Sequence, residues 1–111
     1  MGMEMGIYLR KKGEKEIDDR ACLENWCDSD FIREIQERCS FCLAKDKYET
    51  ILDREKCSYA AKECSEMAYL SDYKEENLVA NKAAADFGCF SRVCDSFGSD
   101  GLYDLVICLS L

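Results

Sequence analysis

An α+β domain, mostly helical, is the fold class this chain predicts, and three observations predict it. Apolar residues recur at helical spacing through the middle of the chain, most clearly at Ile32, Ile35, Cys39 and Cys42, which step by three, four and three. Strand formers crowd both ends, over Met3 to Arg10 and over Leu102 to Leu111. The chain has 111 residues and is 48% apolar, enough to bury one core in a single domain over residues 1–111. The expected architecture is about four helices with short N-terminal and C-terminal strands that pair.

The elements follow in order. Met3 to Arg10 reads as a strand ending in the turn Arg10-Lys11-Lys12-Gly13. Glu14 to Cys27 reads as a helix with Ile17, Ala21 and Trp26 turned inward. Asp28-Ser29-Asp30 supplies capping oxygens for the next helix. That helix carries the Ile32, Ile35, Cys39, Cys42 stripe, flanked by Phe31 and Leu43, with Arg33, Glu34 and Glu37 on the opposite side. Ala44 to Lys47 is a polar break. Tyr48 to Leu70 reads as one helix whose register shifts near Asp53 to Lys56, because Cys57, Ala60, Ala61, Cys64, Met67 and Ala68 share a face that Tyr48 and Leu52 do not. Ser71-Asp72, with Glu75 in capping-box position, restarts the chain, and Tyr73, Ala80, Ala83, Ala84 and Phe87 face inward. Gly88 fits a helix C-cap, Cys89 to Gly101 a loop, and Leu102 to Leu111 the closing strand.

Nine cysteines stand beside no histidine and no proline. Thiols used as small core hydrophobes explain most of them, since Cys39 and Cys42 complete one apolar stripe and Cys57 and Cys64 lie on another. Cys57 and Cys64 cannot bond each other, because two helical turns hold them about 10 Å apart. The rival reading is a zinc site. Cys22, Cys27, Cys39 and Cys42 spell two close pairs about a dozen residues apart, although the helical pattern around Cys39 and Cys42 opposes the tight turn a zinc knuckle needs. In a disulfide framework, nine being odd, at least one thiol would be left over or join two chains. Cys39-Ser40-Phe41-Cys42 falls late in its helix, where the dipole opposes a thiolate, so a redox dithiol is disfavoured.

The absence of histidine removes every Ser-His and Cys-His nucleophile pair, and Gly98-Ser99-Asp100-Gly101 lacks the lysine and following helix of a phosphate loop. The chain therefore reads as a non-enzyme, with no cofactor expected. Net charge is −8. Residues 1–20 balance five basic against five acidic side chains, so the excess lies in 21–111. Such a surface repels phosphate backbones and anionic lipid, which argues against direct nucleic-acid or membrane binding, and attracts basic proteins. The N-terminal MGMEMGIYLRKKGEKE lacks the apolar run of a secretory signal, so a cytoplasmic location is expected.

The candidate contact residues are Tyr59, Glu63, Glu66, Tyr69, Asp72, Tyr73, Glu75 and Glu76, tyrosines among carboxylates. The function expected is a small acidic intracellular binding protein. In its sharpest form it is an inhibitor of the immunity or phage anti-defence type, anti-CRISPR proteins among them, that occupies a basic or nucleic-acid-binding surface of a partner. The alternatives are the cysteine-ligated zinc domain and a homo-oligomerisation module, for instance a homodimer.

Overall fold

The computed structural model describes residues 3–39, 49–70, 74–99 and 102–110, without the side chains of 74–76, 95–99 and 110. These residues form strand β1 (Glu4–Lys11), strand β2 (Cys22–Trp26), helix α1 (Ser29–Arg38), strand β3 (Glu49–Leu52), helix α2 (Arg54–Leu70), helix α3 (Lys74–Ser99) and strand β4 (Tyr103–Ser110). The class is α+β. The described residues hold three α-helices, not about four, and a four-stranded antiparallel sheet of order β2-β1-β4-β3, so strands are not confined to the ends.

The terminal strands pair as expected. β4 lies against β1 along its whole length, from Glu4 opposite Ser110 to Lys11 opposite Tyr103. On its other edge β4 pairs with β3, with Leu52 opposite Leu105. Strand alternation sends Met5, Ile7 and Leu9 of β1 and Leu105, Ile107 and Leu109 of β4 to one face. There they join Phe31, Ile32 and Ile35 of α1, Cys57, Cys64 and Met67 of α2, and Ala80, Ala83 and Phe87 of α3 in one core. Trp26 stacks on Phe87 with ring centroids 5.6 Å apart and planes within 8°.

β1 ends where the chain requires a glycine. The Glu14 N–H donates to the Lys11 carbonyl at 3.1 Å, and Gly13 takes φ +92°, the left-handed position of a type II turn. On the face of β1 away from the core, Tyr8 lies back over Gly6. A Cβ at Gly6 would sit 2.7 Å from the tyrosine ring, so a larger residue there would push the Tyr8 ring aside.

Four expectations need correction. Glu14 to Cys27 is not a helix but a connection, a 3₁₀ turn at Asp19–Ala21 and β2. The Asp18 carboxylate accepts the Arg20 N–H at 2.9 Å and caps the start of that 3₁₀ turn, and of Ile17, Ala21 and Trp26 only Trp26 is buried. Tyr48 to Leu70 is not one helix with a shifted register: Glu49–Leu52 is β3, and the Asp53 carboxylate caps α2 by accepting the Lys56 N–H at 2.8 Å. Gly88 is not a C-cap, and Cys89 to Ser99 is not a loop, because α3 runs through both. Ser91 and Cys94 extend the buried stripe of Ala83 and Phe87 at helical spacing, and their burial overrides the cost of an interior glycine. Asp28 does cap α1, accepting from the Phe31 N–H at 3.0 Å. The expected places of Cys42, Leu43, Tyr48 and Tyr73, the break at Ala44 to Lys47 and the Ser71-Asp72 cap lie outside the described residues.

Candidate functional site

One face of α2 is given to the core and the other to solvent. Cys57, Ala60, Cys64, Met67 and Ala68 are buried. The opposite positions carry Tyr59, Lys62, Glu63, Glu66, Tyr69 and Leu70, which recur at three- and four-residue spacing on the outward side. Tyr69 is 88% exposed and Leu70 65%, high values for residues of their size. Lys62, Ser65, Glu66, Tyr69 and Leu70 line an open groove of about 370 Å³ at the C-terminal end of the helix.

Arg38, at the end of α1, organises the acids beside this groove. Its guanidinium donates to Glu34 and to Glu63, each at 3.1 Å, and lies 3.6 Å from Glu66. Glu63 is thereby largely covered, whereas Glu66 keeps about half of its side chain in solvent. The negative charge of Glu63, with a smaller contribution from burial, raises the Tyr59 phenol above its ordinary pKa. Tyr59 is thus a neutral hydrogen-bonding side chain near neutral pH.

The structure brings Tyr59, Glu63, Glu66 and Leu70 onto the outward side of α2, the four residues whose spacing implied a shared face, and Tyr69 stands beside them. Glu63 is half of an ion pair with Arg38. Glu75 and Glu76 lie in the first turn of α3, with side chains outside the description; Asp72 and Tyr73 lie outside the described residues altogether. Sequence reasoning missed Arg38. Its only local signal was the Glu34–Arg38 spacing of four, and the pairing with Glu63 spans 25 residues.

The zinc ligands do not assemble as the motif suggested. Cys22 opens β2 and Cys27 follows its end, so the strand rise sets them more than about 13 Å apart. Two thiolates on one zinc ion lie about 4 Å apart. Cys39 caps the end of α1 inside the core, and Cys42 lies outside the described residues. Among the described residues no three potential metal ligands cluster. The buried thiols behave as core groups. Burial pushes Cys57 and Cys64 each up to about 12, far from the thiolate form.

A second open groove, of about 390 Å³, is lined by Arg10, Glu49, Thr50, Ile51 and Lys56. Its charged groups are already engaged: Arg10 pairs with Glu49 at 2.7 Å, and Lys56 donates to the Ile51 carbonyl at 3.2 Å. No helix among the described residues is long and apolar enough to cross a membrane. The fold and the α2 face together define a two-layer α+β domain with an exposed aromatic–acidic helix face. No family model, curated protein or solved structure matches the chain.

Proposed function

We propose that this chain is an acidic, cytoplasmic binding protein that docks the outward face of α2 on a basic surface of a partner protein. In its sharpest form it is an inhibitor of the immunity or phage anti-defence type, anti-CRISPR included, covering a groove its partner uses for nucleic acid. The observation that carries the reading is the pairing of a nearly bare Tyr69 and Leu70 with Glu66 around one groove. Aromatic and aliphatic anchors supply contact area, and carboxylates steer and pair with arginine. The charge of −8 favours a basic partner over nucleic acid or anionic lipid. A cytoplasmic setting suits a core that holds the thiols of Cys39, Cys57, Cys64 and Cys94.

The test is a comparison of binding by wild type and two variants to a protein recovered from the producing cell. Tyr69→Ala/Leu70→Ala removes the anchors. Glu66→Lys/Glu75→Lys/Glu76→Lys reverses three acids of the candidate surface and leaves Glu63 to Arg38. Each is expected to weaken binding at least tenfold, the second with a reduced salt dependence. Unchanged affinity in both would remove this face from the interface. A wild-type chain that sediments as a dimer, with Tyr69→Ala/Leu70→Ala monomeric, would assign the face to self-association instead.

A further inference from the structure

α2 and α3 run antiparallel, and polar contacts near both ends of α2 set their register. Toward its start the Ser58 and Ser91 hydroxyls lie 2.7 Å apart. Toward its end the Asn77 side-chain amide donates to the Ala68 carbonyl at 2.6 Å, and the Asn77 side-chain oxygen accepts from the Asn81 amide at 2.5 Å. Ala68 lies in the last turn of α2, and the last four carbonyls of an α-helix have no partner within it. Asn77 supplies a donor from the neighbouring helix, and Asn81 holds it in the orientation that donates.

Exposed apolar groups flank this bond on both helices. Tyr69 follows Ala68, and Leu78, 60% exposed, follows Asn77. Ser58, Lys62, Ser65 and Tyr69 follow one another at spacings of four, three and four. Tyr69 therefore falls on the shoulder of α2 that Ser58 turns toward α3. Backbone and side-chain dimensions across the 2.6 Å bond keep the Cα atoms of Tyr69 and Leu78 within about 17 Å of each other. A standard interface of roughly 800 Å² per partner is about 30 Å across and takes in both.

We propose that the docking face continues from α2 onto α3, with Leu78 as a further apolar anchor for the same basic partner protein and Asn77 as its positioning residue; this rests on the reading of α2 as a docking face. An exposed side chain is located by its backbone and not by packing around it. The register of the two helices at Ala68 and Asn77 thus sets the distance between the anchors.

The experiment compares Leu78→Ala, Asn77→Ala and Tyr69→Ala with the wild-type full chain. Amide hydrogen exchange is measured on each, with affinity for the basic protein recovered in the binding test. Asn77→Ala should lower the protection of the amides of residues 67–70 about fivefold and leave those of residues 57–64 unchanged. Leu78→Ala should keep wild-type protection and bind about fivefold more weakly. Asn77→Ala should weaken binding too, and lose most of that effect in a Tyr69→Ala background, because it acts through the placing of Tyr69. Wild-type binding by Leu78→Ala, with Tyr69→Ala/Leu70→Ala weakened, would overturn this inference and leave the docking reading standing. Unchanged binding in every variant would overturn both. Unchanged protection in Asn77→Ala would remove Asn77 from the positioning role.

Discussion

Glu24 of β2 and Asp86 of α3 meet beside Lys82, whose ammonium lies 2.7 Å from Glu24 and 3.2 Å from Asp86. Burial, then the hydrogen bond with Glu24, raises the Asp86 carboxyl above its ordinary pKa. Burial acts on Glu24 in the same direction, but hydrogen bonds with Lys82, Asp86 and the Asn25 N–H outweigh it and leave Glu24 lowered. A raised acid stabilises the fold below its unfolded pKa and loses that contribution as pH rises through the folded value. A lowered acid does the reverse, losing its contribution as pH falls. Asp86→Asn keeps an amide hydrogen for Glu24 and removes the ionised form. It should therefore match or exceed wild type at pH 7, by up to about 1 kcal/mol. The advantage should shrink as pH falls into the carboxylate range. Urea titrations at both pH values check this. The next residue of α3, Phe87, is fully buried against Trp26. Phe87→Ala should cost about 3–5 kcal/mol, read as a lower urea midpoint at unchanged m-value.

Elements were legible where one periodicity ruled without competition. The α1 stripe and the buried face of α2 could be read from residue spacing, because each keeps its apolar residues on a single face, and the terminal strands could be read from their strand-forming composition. β2 and β3 could not be read so. β2 is an edge strand with Leu23 exposed and only Trp26 buried, which leaves little alternation to detect. β3 is four residues long, and Leu52 falls at a spacing from Cys57 that mimics a helix with a slipped register. The end of α3 was hidden by Gly88, whose helical place depends on Ser91 and Cys94 finding cover. Gly88→Ala decides between the two readings of that position. An added Cβ meets nothing within 4 Å, so in a continuous helix alanine should stabilise by about 1 kcal/mol. At a left-handed C-cap the same change would destabilise. Thermal melts distinguish the two signs.

At the scale of the molecule, the last strand is an inner one. β4 sits between β1 and β3, so the sheet closes only when residues from both ends and the middle of the chain have come together. This order buries the apolar side of the sheet under three helices and leaves the outer face of α2 to solvent. Half of the candidate site was visible in the sequence, in the spacing of Tyr59, Glu63, Glu66 and Leu70. The other half was not, because Arg38 reaches Glu63 only through packing of α1 on α2. The central claim is that this face binds a basic partner. Titration calorimetry of the recovered partner with wild type and with Tyr69→Ala/Leu70→Ala tests it most directly. Since both side chains are exposed, the variant should melt as wild type does and bind at least tenfold more weakly. Equal affinity in a variant of unchanged stability would contradict the account.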